Sequence, residues 1–259
     1  MQTKRNDGTA PSDQEGIPRV RDEGFTGHPL TSEQRKALGV EQYYRPFRVD
    51  AAAALKGRSS FWIAKRGFDI IFATLALVVL SPIMLICLAA IWIEDPKGSP
   101  IFCQTRVGRH RKEFKMYKFR TMHVDAEARK AELQKLNEKD GPVFKMANDP
   151  RVTRVGRFLR KTSLDELPQL FNVLRGDMTL VGPRPALPSE VEQYSRYAEM
   201  RLSITPGLTC IWQAQPKRDE IGFDEWMDMD IAYIGTRSFR NDMKLLLKTA
   251  VSMLRRSGS

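Results

Sequence analysis

Cysteine is scarce in this sequence: Cys87, Cys103 and Cys210 are the only three, and no two stand in CxxC spacing. That scarcity argues against a disulfide framework and a zinc site, and it fits a reducing, cytoplasmic setting. Acidic residues are also short. The 31 Asp and Glu against 42 Lys and Arg leave a formal net charge of +11. Such a balance favours anionic partners: nucleic acid, anionic lipid or phosphorylated substrates. No internal repeat is present, which sets repeat architectures aside. The main apolar run begins far from Met1 and is too long for a signal core, so a cleaved secretory signal is not expected.

That apolar run, Ile70 to Ile93, is long enough to cross a bilayer core, which takes about 20 apolar residues. Phe61 and Trp62 precede it and Trp92 closes it, as interface aromatics do. Bases flank both sides: Arg58, Lys65 and Arg66 before it, and Lys97, Arg106, Arg109 and Arg111 after it. The positive-inside rule would place both ends in the cytoplasm. A helix that enters and turns back at Ser81-Pro82 satisfies the rule; a kinked single-pass anchor is the alternative. Asp69 is expected to pair with a base such as Arg66 or to stay at the headgroup level. Residues 1–57 are polar and rich in Gly, Pro and charge, and read as a flexible extension.

Downstream, FCQTRVG and KEFKMYKFRTM alternate apolar and basic residues, predicting a short hairpin around Gly108 to Lys112. Lys118 and Arg120 would then share one face, a basic surface able to hold diphosphate, with a solvated edge strand as the plainer reading. Asp125 to Asp140 has the pattern of an exposed charged helix. Arg151, Arg154, Arg157 and Arg160 recur every third residue among Val152, Val155, Phe158 and Leu159. A helix there suits an anionic membrane surface; a DNA-binding helix would look similar, but the adjacent membrane run favours lipid. Met243, Leu246, Leu247, Ala250, Val251 and Leu254 make a second apolar stripe, for the core or the membrane.

The segment from Ser163 to Pro185 is the richest in chemistry. Asp165 and Glu166 are adjacent acids ahead of an apolar helical stretch, and Pro168 puts the helix start near Asp165. A carboxylate is already ionised at neutral pH and can attack phosphorus without a base. Adjacent helical residues do not share a face, so two roles, nucleophile and metal ligand, suit the pair. Plain helix-start acids, or a capping box from Ser163 to Glu166, are the bland accounts. Arg184 stands between Pro183 and Pro185, in a backbone held extended, where its guanidinium can grip phosphate oxygens bidentately. Gly182 permits a close backbone approach.

The motif SLDELPQLFNVLRGDMTLVGPRP resembles the signature of bacterial sugar transferases that start glycan assembly on a polyprenyl phosphate carrier, the small monotopic phosphoglycosyl transferases. The resemblance continues in KRGFDIIFATLALVVLSPIMLI, MYKFRTM, DPRVTRVGRFLRKTSLDE, ITPGLTCIWQ, and from DMDIAYI to DMKLLLKTA, and so covers nearly everything after about Phe61. It implies a mainly α fold with a small β element, a re-entrant membrane helix (58–95) broken at Ser81-Pro82, interfacial amphipathic helices, and a cytoplasm-facing catalytic domain (96–259). It implies attack by Asp165 on the β-phosphate of a UDP-sugar, release of UMP, and transfer of the phosphosugar to polyprenyl phosphate at the bacterial inner membrane. Glu166 would hold Mg2+, while Arg184, Arg160 and Lys118 stabilise phosphoryl charge, with Arg120, Gly182, Pro183, Pro185 and Gln213 as further contacts. Asp230 is a further candidate, with a structural pairing as the alternative. Where relatives usually carry a Gly-Arg segment after the WQ dipeptide, this chain has Gln215, Pro216, Lys217 and Arg218; Arg218 stands in for the usual arginine in an altered register. The contrasting non-enzyme reading is a membrane-bound scaffold for glycan enzymes. Nucleic acid is not an expected partner.

Overall fold

The computed structural model describes residues 59–129, 148–215 and 221–257, with positions 133 and 146. The N-terminal extension, most of the charged segment after Asp125, and Pro216 to Arg218 lie outside the described residues.

The architecture is mainly helical with two small sheets. Helix α1 (Ser59–Glu94) runs 36 residues and is the one described helix long and apolar enough to cross a membrane. It continues as helix through Ser81 and Pro82, so the expected break is not an interruption of helical structure. Pro82 has no N–H to give the carbonyl four residues back, that of Val78. The Ser81 hydroxyl donates to that carbonyl instead, at 2.8 Å, and so re-satisfies it inside an apolar stretch.

The helix does not project from the rest of the molecule. Lys65, Asp69, Ala73, Met84, Cys87 and Ile91 are buried along its inner face, on both sides of Pro82. Ile71, Leu75, Val78, Val79, Leu85, Ile86 and Ile93 stay exposed along the outer one. Polar contacts fix both ends to the same body. Near the start, Lys65 meets Asp242 at 2.6 Å, and Arg66 donates to the Val173 and Leu174 carbonyls at 2.5 and 2.8 Å. Asp69 accepts from the Thr179 hydroxyl at 2.5 Å and the Leu180 N–H at 3.3 Å. Its nearest base is Lys65, at 3.9 Å, not the expected Arg66, because Arg66 is spent on carbonyls at a helix end. At the far end, Glu94 accepts from the Arg154 and Val155 N–H groups at 2.8 and 3.1 Å, and Asp95 pairs with Arg120 at 2.8 Å.

The predicted hairpin is present. Strands β1 (Ile101–Val107) and β2 (Glu113–Phe119) pair antiparallel from Ile101↔Phe119 to Val107↔Glu113 around a turn at Arg109–Arg111. Helix α2 (Arg154–Thr162) begins at Thr153, whose hydroxyl accepts from the Gly156 N–H at 2.9 Å. Arg154, Arg157 and Phe158 face outward, as the amphipathic reading expects. Arg151 is different: it lies ahead of the helix, buried, with Nε and an Nη on the Asp149 carboxylate at 2.9 and 2.7 Å. Spacing alone grouped it with a surface stripe that it does not join.

Helix α3 (Gln169–Arg175) leads into β3 (Thr179–Val181), which pairs parallel with β4 (Gly207–Thr209). Short helices α4 (Pro188–Val191) and α5 (Arg196–Glu199) fill the crossover, and α6 (Phe223–Thr236) and α7 (Phe239–Ser257) close the fold. Leu170, Val173, Met178, Leu180, Ile204, Ile211, Met229, Ile234 and Leu245 form one core that also takes Ala73 of α1. On α7 the stripe divides: Leu245 is buried and Leu246 packs on the core, while Leu247 and Val251 remain exposed.

Candidate active site

Asp165 and Glu166 sit on a 3-10 turn, Leu164–Glu166, that links α2 to α3. Ser163 ends α2 in the left-handed conformation (φ 59°) and makes no side-chain cap, so the capping box with Glu166 does not form. The α-helix starts at Gln169, four residues later than expected from Asp165, with Pro168 as its cap. Pro168 needs no N–H partner there, which is why the boundary falls on it.

The tighter turn brings the two acids together. Lys118 Nζ lies 2.8 Å from Glu166 Oε1 and 3.9 Å from Asp165 Oδ2, and Arg184 Nη1 lies 3.8 Å from Glu166. The two carboxylates therefore converge on one lysine, where helical spacing predicts divergence. Both are mostly sequestered, with 13% of the Asp165 side chain exposed. Burial raises the Asp165 carboxyl above the ordinary carboxylate range, and the Glu166 charge adds to that; Lys118, Arg160 and Arg184 pull it back down. Arg160 is held by its Nε on the Thr121 hydroxyl at 2.9 Å.

Lys118 and Arg120 diverge. Arg120 lies beyond the end of β2 and holds Asp95 together with the Asp95 and Gly98 carbonyls, which ties the hairpin to the foot of α1. Its guanidinium is committed to these acceptors. Arg218 lies outside the described residues.

The Val181-to-Ala186 segment is fixed carbonyl by carbonyl. Tyr233 OH donates to Val181 O at 2.9 Å, Gly207 N–H to Pro183 O at 2.8 Å, and Arg201 to Arg184 O at 2.6 Å. Arg106 donates to Pro185 O at 3.0 Å and Val107 N–H to Ala186 O at 2.8 Å. The two prolines supply no donors, so the holding is done from outside through their acceptors. Gly182 and Gly207 are needed because the backbones nearly touch: a Cβ on Gly207 would lie 2.0 Å from Gly182 N. Arg184 is thereby aimed at Glu166, its guanidinium 5.9 Å from the Trp212 ring centroid.

Two members of this scaffold escaped sequence reasoning. Arg106 reads as a membrane-flanking base, yet it is buried, and burial with the neighbouring Arg184 charge lowers it to about 10. Arg201 carries no pattern at all; it is buried against Asp230 at 2.6 Å. Asp230 thus has the structural pairing foreseen as its alternative. Gln213 lines an open cleft with Lys118, Arg184, Pro185 and Gln169. Among the described residues, no cluster of three or more Asp, Glu, His or Cys side chains could hold a metal by itself.

The site thus joins two partly buried carboxylates and two cations, Lys118 and Arg184, beside a long apolar helix. The family model for bacterial sugar transferases matches residues 60–256, and the chain belongs to that family. It is 42% identical over 200 residues to galactosyl transferase CpsE of Streptococcus agalactiae, covering 77% of this chain and 44% of that one. It is 42% identical over 214 residues to the undecaprenyl-phosphate galactose phosphotransferase of Salmonella typhimurium, covering 79% and 43%. The chain thus spans less than half the length of those two relatives. With the exopolysaccharide production protein ExoY of Rhizobium meliloti it shares 38% identity over 201 residues, covering 76% of this chain and 88% of that protein.

Proposed function

We propose that this chain transfers a sugar-1-phosphate from a UDP-sugar to polyprenyl phosphate at the inner face of a bacterial cytoplasmic membrane, as a first step in building an exopolysaccharide or related glycan. The observation that carries this reading is Asp165: a sequestered carboxylate on a tight turn, 3.9 Å from Lys118, beside Glu166 and Arg184. The relatives' names support it, being galactosyl and undecaprenyl-phosphate galactose transferases.

In this reading, an Asp165 oxygen attacks the β-phosphorus of the donor. The bond from that phosphorus to the oxygen bridging the α-phosphate breaks, and UMP departs with the electron pair. A phosphate oxygen of the polyprenyl carrier then attacks the same phosphorus and frees the Asp165 carboxylate. Two steps let one small site serve a soluble and a lipid substrate in turn. Lys118 and Arg184 stabilise charge on the phosphoryl oxygens, and Arg160 adds its field. The donor set fits Mg2+, which is commonly held by one or two carboxylates together with substrate phosphates. Glu166 would hold it; when bound, Mg2+ neutralises the diphosphate. With Glu166 turned to the metal, Lys118 would be available to phosphate.

A re-entrant seating of α1 completes the reading. Helix α1 touches the same body at two points about 38 Å apart along its axis, Asp69 against β3 and Glu94 against α2. A helix spanning the bilayer straight would need that body on both sides of the lipid. The outward Phe158 on α2 and Leu247 and Val251 on α7 suit contact with the same leaflet.

The test is UMP release by the protein in membrane mimetic, with Mg2+, polyprenyl phosphate and a panel of UDP-sugars. Release with one donor is expected; none with any donor would favour the scaffold role. In the same assay, Arg184→Ala is expected to lower kcat by about 10²- to 10³-fold, on the scale of removing one fixed transition-state donor. Near-normal turnover would reduce Arg184 to a turn residue.

A further inference from the structure

The cleft beside the acidic pair has two chemically different parts. Lys118 and Arg184 provide positive charge, and Gln169 and Gln213 provide neutral amides. Gln169 is only 3% exposed and Gln213 only 7%. Buried amides are normally hydrogen-bonded. Gln169 is an exception: among the described residues no protein group bonds its amide, and its polar atoms are not sealed in, so they open into the cleft. Gln213 uses only its oxygen, which accepts from the Cys210 thiol at 3.1 Å, and its NH2 is left over. Cations answer phosphate. An amide, with a donor and an acceptor side by side, answers neighbouring hydroxyl groups. Met116 and Leu208 add apolar wall for the C–H face of a ring.

We infer that Gln169, together with Gln213, forms the subsite for the hexosyl unit of the donor. This rests on the donor reading above. Chemical connectivity selects the sugar over the base. The sugar is bonded directly to the β-phosphate that Asp165 attacks, whereas uracil is separated from it by the α-phosphate and the ribose. Lys118, which reaches toward both acids, also walls this cleft, so the cleft adjoins the point of attack.

The experiment measures binding calorimetrically in membrane mimetic with Mg2+, using UDP-galactose, UDP-glucose and UMP. Gln169→Ala is expected to weaken the better-bound sugar nucleotide roughly 10-fold, the scale of one or two lost hydrogen bonds, and to leave UMP unchanged. Gln169→Met keeps the volume, removes the amide and gives the same result if the alanine variant does not fold. Equal weakening of UMP would place Gln169 against the nucleotide and overturn the assignment, as would unchanged binding of all three. Wild-type protein that binds none of the three overturns the donor reading, and the assignment with it.

Discussion

Asp165→Asn is expected to abolish covalent labelling by the donor and to lower turnover by about 10⁴-fold or more, the scale seen when a nucleophile is removed from an enzyme. The amide keeps the shape and loses the anionic oxygen that, in the proposed reaction, forms the bond to phosphorus. The protein should fold at least as well as wild type. Burial raises the Asp165 carboxyl in the folded state, so ionising it weighs against folding as pH rises from its unfolded value through its raised one. Asparagine removes that penalty. Function has the opposite sign: the nucleophile must be ionised, so the wild-type rate should fall with decreasing pH at a point above the ordinary carboxylate range. Mass spectrometry of the trapped protein, thermal unfolding and a pH–rate profile check the three parts. Labelling that survives in the variant would remove Asp165 as nucleophile.

The second large effect lies away from phosphate. Asp230→Asn is expected to cost about 3–5 kcal/mol of stability, the usual consequence of leaving one member of a buried ion pair alone. Arg201 and Asp230 each expose only 1% of their side chains and meet at 2.6 Å. Trp226 Nε1 also donates to Asp230 at 3.0 Å, and Arg201 packs 5.3 Å from the Trp226 ring. The Asp230 charge in turn holds the buried Arg201 guanidinium protonated. Equilibrium unfolding in detergent measures the loss. The double variant Arg201→Met, Asp230→Leu sharpens the test, since apolar replacement of a buried pair is often neutral or stabilising. Stability should return while UMP release stays low, because the Arg184 carbonyl has still lost its donor. Full recovery of turnover would show that this carbonyl does not position Arg184.

Much of this was legible in the sequence, for reasons that also explain the misses. The β1–β2 hairpin and α1 announce themselves by alternation and by an unbroken apolar run, which are properties of single elements. The acidic pair and the Pro-flanked Arg184 are visible as local chemistry, as is the close approach at Gly182. Arg151 misleads because three-residue spacing ignores where a helix begins, and Asp149 takes it as a buried partner instead. Asp165 and Glu166 were expected to diverge because α-helical geometry was assumed; a 3-10 turn, selected by Pro168 and the left-handed Ser163, brings both to Lys118. Arg201 and Arg106 had no readable signal as site residues. Their task is to hold backbone carbonyls distant in sequence, and no pattern within one element encodes a contact of that kind.

The apolar helix has a part in the site that an anchor would not. Asp69 grips Thr179 and Leu180, on the strand that runs into Gly182 and Arg184, while Lys65 neutralises Asp242, whose other oxygen lies 2.8 Å from the Tyr233 hydroxyl beside Val181. Cutting the chain after Glu94 to obtain a soluble fragment would therefore take away the carboxylate that holds β3 and strand a buried acid. Any change that loosens α1 is a change to the strand that leads to Gly182 and Arg184.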